Sequence, residues 1–248
     1  MDLRIDSSTG ASGDVHFVST DTVNWVILRS DDGVTLIDGG YPGHAEAVLE
    51  SLRRVGGAPE EIRAALLTHA HVDHLGGLVR LRQRYRFEVY AGADEVAHAR
   101  REYLEQATAA SLAPIAWRPR VLRWLGQIIP LGALDKTGLD DATEFPDLAA
   151  LPGAPVAVPA PGHTRGHTAF LVADGQALVS GDALISAHPT TTPPGPQCLS
   201  PVFTHDPDRN AESLEALATT DARLLLPGHG PRWAGTMRNA VNQALSRR

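Results

Sequence analysis

Residues 68–77 read Thr-His-Ala-His-Val-Asp-His-Leu-Gly-Gly, and no other stretch of the 248-residue chain limits its folding as sharply. Three imidazoles and a carboxylate fall within six positions, in a chain with only 11 histidines. An apolar run, Ala64-Ala65-Leu66-Leu67, precedes the segment, and a helical pattern follows it. At the end of a strand, side chains two apart point the same way, so His69 and His71 can reach one ion. The chain then turns, and Asp73 and His74 at the start of a helix face a second position. Imidazole and carboxylate donors together suit zinc, and also iron or manganese. Gly76 and Gly77 are read as letting the backbone pass close to the cluster.

These residues cannot complete two metal shells, so the rest of the chain must contribute. Three further segments do, each directly behind a run of strand character. Residues 161–168, Pro-Gly-His-Thr-Arg-Gly-His-Thr, offer His163 and His167. Ser180-Gly181-Asp182 offers a carboxylate, and Pro227-Gly228-His229-Gly230 a last imidazole.

The surrounding pattern supplies the strands. Residues 3–6, 15–20, 25–29 and 34–38 are short β-prone runs, with Asp31-Asp32-Gly33 as a hairpin signal. A helix carries Val48, Leu49, Leu52 and Val55 and ends at Gly56-Gly57. Strands at 62–68 and 88–91 flank a helix expected over about 74–85. The second half repeats the theme, with strands at 156–159, 169–173, 177–180 and 223–226. Helices are expected at 212–218 and at the end, where Met237, Val241 and Leu245 share a face. Strand clusters with helices in each half indicate an α/β fold of two packed sheets with helices outside. The chain reads as one domain, 1–248. Between the halves, 94–130 is a helical insert carrying Tyr103, Trp117 and Trp124, with Val121, Leu122, Leu125, Ile128 and Ile129 on one face. Residues 131–155 read as a connector, and 188–207 as a second irregular stretch.

Composition excludes several classes. The formal charge is −7, which argues against a nucleic-acid partner. Arg80, Arg82, Arg84 and Arg86 read as a solvated helix end running into a strand. No apolar run is long enough to span a membrane. The N-terminus lacks a basic start followed by an apolar core, and Cys198 is the single cysteine, which excludes an intramolecular disulfide. A cytoplasmic enzyme is expected.

Five segments, Leu-Ile-Asp38-Gly-Gly, residues 68–77, residues 161–168, Ser-Gly-Asp182-Ala-Leu and Leu-Leu-Pro-Gly-His229-Gly, occur in the order of the metallo-β-lactamase superfamily motifs. The chain resembles that superfamily over nearly its whole length, and the glyoxalase II and lactonase branches more than true β-lactamases. The resemblance implies an αβ/βα four-layer sandwich. It implies two divalent metal ions, zinc first, with His69, His71 and His163 on one, Asp73, His74 and His229 on the other, and Asp182 bridging. His163 rather than His167 is the ligand in that register, and Asp38 supports the ligand loop by hydrogen bonding. The implied chemistry is hydrolysis of an ester-like bond, a lactone or thioester, by a hydroxide shared between the ions, with Asp73 also shuttling a proton. Two alternatives stay open. One is a mononuclear iron oxygenase resembling persulfide dioxygenase, which would use only His69, His163 and Asp182. The other is a β-lactamase-like amide hydrolase. A Tyr that the best-known lactonases carry three residues after the bridging Asp is Ile185 here, a departure from that activity.

The remaining histidines are read more plainly. His167 is expected to hydrogen-bond structurally, and His16, His44, His98 and His205 to lie on the surface. His188, shortly after Asp182, has either a substrate-facing or an ordinary loop position. Cys198 is expected to be inert. The insert either covers the metals as a lid, which would favour a small-molecule substrate with an apolar portion, or packs onto the sheet or a second copy as a homodimer contact.

Overall fold

Successive strand residues point to opposite faces, and here the apolar positions of each face meet a different partner. In β3 (Asn24–Ser30), Trp25 and Ile27 face one helical layer while Val26 and Leu28 face the opposite sheet. In β10 (Ala177–Gly181), Leu178 faces the other helical layer while Ala177 and Val179 meet the first sheet. Three stacked cores separate four layers, helix–sheet–sheet–helix, as expected from the sequence. Burying each large apolar side chain in them contributes about 1.5–3 kcal/mol.

The computed structural model describes residues 2–191 and 193–248. The first sheet has seven strands in sequential order. They are β1 (Arg4–Gly10), β2 (Gly13–Ser19), β3, β4 (Gly33–Ile37), β5 (Ile62–Leu66), β6 (Glu88–Ala91) and β7 (Thr143–Glu144). The first four are antiparallel, and Ser30 pairs with Gly33 across the anticipated Asp31-Asp32 turn. From β4 onward the pairing is parallel, because α1 (Ala45–Arg54) and α2 (Val72–Arg82) make the crossovers. The second sheet runs β12 (Trp233–Ala234), β11 (Leu224–Pro227), β10, β9 (Thr168–Val172), β8 (Val156–Pro159). It is covered by α6 (Pro207–Ala218) and α7 (Met237–Leu245).

The insert forms three short helices: α3 (Ala93–Ala99), α4 (Ala109–Ala116) and α5 (Pro119–Ile128). On α5 the buried face is Val121, Trp124 and Ile128, packed on Tyr41 and Val72. Leu122 and Ile129 are 55% and 50% exposed, so the apolar face is narrower than the sequence pattern suggested. Trp117 points outward, 72% exposed.

Other departures are local. Helix α6 starts at Pro207, five positions before its apolar pattern, because Asp206 caps it by accepting the Arg209 N–H at 2.9 Å. Arg80, Arg84 and Arg86 are exposed, as expected, whereas Arg82 is half-buried, and Arg80, Arg82 and Arg84 each pair with an acid: Asp135, Asp141 and Glu46. Gly77 serves the packing of α2 rather than the cluster: a Cβ there would run into the Gly39 carbonyl. No helix among the described residues is long and apolar enough to cross a membrane.

Candidate metal centre

The ends of four strands and one hairpin loop meet at a single rim of the sandwich. Asp38 follows β4, Thr68 and His69 follow β5, Asp182 follows β10, and His229 follows β11. The 160–167 loop between β8 and β9 brings His163 and His167. The loops are tied across the two sheets: Thr168 N–H donates to Thr68 O at 2.9 Å, and Asn24 N–H to Gly228 O at 2.9 Å.

All seven expected ligand residues come together. One group is His69, His71 and His163, another is Asp73, His74 and His229, and a third joins His69, His74 and Asp182. Within the first group, His69 Nε2 and His163 Nε2 each lie 3.1 Å from His71 Nδ1. The opposite ring nitrogens fix which atoms carry protons. Thr68 Oγ1 already donates to Asp38 Oδ2 at 2.7 Å, so at 3.0 Å it accepts from His69 Nδ1. His71 Nε2 meets the Glu105 carbonyl, which can only accept. The inward nitrogens of His69 and His71 are therefore bare lone pairs facing each other, an arrangement that calls for a cation. Burial holds the pKa values of His69 and His163 well below the ordinary histidine value, and that of His71 at about 4.

The second group differs in charge. His74 Nδ1 donates to Asp38 Oδ2 at 2.8 Å and His229 Nδ1 to Thr22 O at 2.8 Å, leaving both Nε2 atoms turned inward. His229 Nε2 lies 3.2 Å from Asp182 Oδ2 and 3.3 Å from Asp73 Oδ2. Burial disfavours the His74 cation, but the Asp38, Asp182 and Asp73 carboxylates outweigh it and lift its pKa to about 9. Asp182 and Asp73 likewise raise His229 against burial. This half of the centre thus demands positive charge, which a divalent ion can supply in place of protons. His74 Nε2 and Asp182 Oδ1 are buried without hydrogen-bond partners, 3.5 Å apart. Such orphaned groups are costly unless a further group satisfies them. Gly228 keeps this space open, since a Cβ there would collide with Asp182 Oδ1. The donor set and the orphaned atoms fit the binding of divalent metal.

The neighbours take clear roles. Asp38, in the left-handed region at φ +62°, accepts the Thr68 N–H and hydroxyl as well as His74. His167 Nε2 accepts the N–H groups of Asp182 and Ala183 at 3.1 and 3.3 Å, so it orients the Asp182 turn. His205 is exposed, but His16, His44 and His98 are buried, contrary to their expected surface positions. Each has found a local partner: Ser7 Oγ for His16, the Tyr41 N–H for His44, and Glu95 for His98. The segment following β10 turns His188 onto the centre, its ring centroid 5.2 Å from that of His229 and 5.0 Å from that of Trp124. Cys198 stays partly buried with its thiol pKa raised by burial, consistent with inertness.

Glu95 and Tyr41 escaped the sequence reading. Glu95 is fully buried and accepts from Ala70 N–H, His98 Nδ1, Thr164 Oγ1 and Gly166 N–H at 2.7, 2.7, 2.7 and 3.0 Å. It therefore joins the loop of His69 and His71 to the loop of His163. Tyr41 is buried against Asp73, and burial followed by the Asp73 and Asp182 charges raises its phenol pKa. No spacing motif marks either residue.

Comparison with known proteins agrees with this geometry. Residues 18–229 match the family model described as the metallo-beta-lactamase superfamily. A probable metallo-hydrolase, YflN of Bacillus subtilis, is 26% identical over 99% of this chain and 95% of its own. A hydroxyacylglutathione hydrolase of Xanthomonas campestris is 32% identical over 67% of this chain, which spans about half, 48%, of that enzyme. Among solved structures, TTHA1623 in a di-iron-bound form aligns with TM-score 0.58 and 25% identity, covering 87% of this chain and 91% of that one.

Proposed function

This chain belongs to the metallo-beta-lactamase superfamily and is a metal-dependent hydrolase, and from that premise we propose that it holds two ions and cleaves an ester-like bond, a lactone or thioester. The observation that carries the reading is the pair of three-residue groups converging on Asp182, one of three imidazoles and one of two imidazoles with the Asp73 carboxylate. The mononuclear oxygenase reading leaves Asp73, His74 and His229 without work, although these three are as tightly grouped as the others. Zinc is our first choice; iron and manganese suit the same donors.

Bound here, the ions would supply Lewis acidity toward a carbonyl oxygen and lower the pKa of water. The chain's own residues do the rest. Asp38, Thr68, Thr22 and the Glu105 carbonyl hold the imidazoles in one tautomer and orientation. Asp73 Oδ2 lies at the cavity wall, 15% exposed, and is placed to carry a proton to the leaving group. In the overall reaction the oxygen of water joins the acyl carbon, the C–O or C–S bond breaks, and the leaving atom takes the proton.

The test is metal analysis with a substrate screen of lactones, thioesters, β-lactams and phosphodiesters. Near two equivalents of metal and turnover of a lactone or thioester are expected. One tightly bound iron with dioxygen consumption would replace this reading with the oxygenase. Asp182→Ala should abolish turnover while circular dichroism stays unchanged, because the apolar cores are built from other side chains.

A further inference from the structure

The centre closes one end of a cavity of about 380 Å³. Asp73, Asp182, His71 and His229 line that end. The rest is walled chiefly by the insert and the segment following β10, including Leu112, Ala116, Trp124, Leu125, Ile128 and Phe203. Apart from Asp73 and Asp182, no Asp, Glu, Lys or Arg side chain among the described residues lines it. The rim is apolar too: Ile129 and Leu134 line the cavity while 50% and 74% exposed. Away from the metal end, a carboxylate or phosphate in this chamber would be desolvated with no cation to meet it.

We propose that the substrate places a single uncharged, apolar acyl group of medium length in this chamber, beside the carbonyl that is attacked. This rests on the reading of the centre as an esterolytic hydrolase. Ligand pockets run from about 300 to 1,000 Å³, so this one suits one chain or ring of about six to ten carbons rather than a long lipid tail. Each methylene entering the chamber should improve binding about fourfold until it is filled. A thioester whose thiol portion carries several carboxylates is disfavoured on the same ground, unless that portion stays outside the rim.

Affinity and turnover are measured separately. Unbranched carboxylates from acetate to dodecanoate are titrated into the metal-loaded protein by calorimetry, and the matching S-ethyl thioesters are assayed for hydrolysis. Affinity should rise about fourfold per methylene to octanoate or decanoate and then level. Ala116→Phe should move the plateau to shorter chains with acetate binding unchanged, and Trp124→Ala should move it to longer ones. Circular dichroism checks both folds. Affinity independent of chain length, or a plateau unmoved by both variants, overturns the chamber. Stepwise affinity without hydrolysis of any ester keeps the chamber and sinks the esterolytic reading. Hydrolysis indifferent to chain length, with flat affinity, does the reverse.

Discussion

Glu95 Oε1 accepts the N–H of Ala70 at 2.7 Å, the one residue between His69 and His71. Through Thr164 and Gly166 the same carboxylate fixes the loop of His163. Through His98, which accepts the Glu105 N–H at 3.2 Å, it reaches the segment whose carbonyl orients His71. One side chain thus positions all three members of the neutral imidazole group. Glu95→Gln retains one acceptor oxygen and turns an amide donor toward two other donors. It should destabilise the fold by about 2–3 kcal/mol and weaken one metal equivalent selectively. Metal titration of the purified variant reads this directly; equal loss of both equivalents, or of neither, would refute the positioning role.

The same carboxylate sets a pH dependence. Burial would raise the Glu95 pKa, but His98, Thr164 and Ala70 outweigh it and hold it below the ordinary value. A depressed folded-state pKa means stability that is fully present above the unfolded value, about 4.3, and lost as pH falls through the folded one. The metal-free protein should therefore lose stability on acidification below about pH 4. In Glu95→Gln this part of the slope should flatten, as thermal melts across pH 3–6 would show. An unchanged slope would assign the acid loss to other carboxylates.

The seven clustered residues were legible because each of their motifs follows a run of strand character, so that the chain beyond it reaches the rim. Glu95 was not, because it acts on backbone N–H groups, which leave no mark in sequence. His98 is three residues from Glu95, yet a lone His–Glu pair on a helix reads equally well as solvated surface. The insert was legible as helix. Its inward face was not, since Leu122 and Trp124 fit the periodicity equally and only the facing Tyr41 and Val72 decide between them. The α6 start was readable in Asp206-Pro207, a cap followed by a proline at the first helical position.

His163 and His167 are four residues apart in one motif and have opposite surroundings. His163 Nε2 points to His71 Nδ1, whereas His167 Nε2 is committed to the Asp182 and Ala183 N–H groups. His163→Ala should lose at least one metal equivalent. His167→Ala should retain both at saturating metal but bind them more weakly, because the Asp182 turn loses its acceptor. Stoichiometry by plasma emission spectroscopy, with affinity from chelator competition, separates the two, and the reverse pattern would overturn the assignment.

His188 joins the apolar chamber to the centre. Its Nδ1 accepts the Thr190 N–H at 3.3 Å and lies 2.7 Å from the Thr190 hydroxyl, so the ring proton resides on Nε2. That N–H has no partner among the described residues, and the ring lines the cavity beside Asp182 and His229. Burial lowers the His188 pKa to about 3, so it stays a neutral donor throughout the working range. An N–H at this junction is suited to hold the carbonyl or the leaving atom of a substrate whose acyl group fills the chamber. His188→Phe keeps the ring packing on Trp124 and Phe203 but removes the donor. It should lower kcat by about 100-fold or more if the bond forms in the transition state, with metal content and octanoate affinity unchanged. His188→Gln restores an N–H near the same place and should recover part of the loss. If Phe and wild type turn over equally, the ring is only a wall of the chamber, and Tyr41, whose hydroxyl lies beside Asp73 in the cavity lining, is the next donor to test.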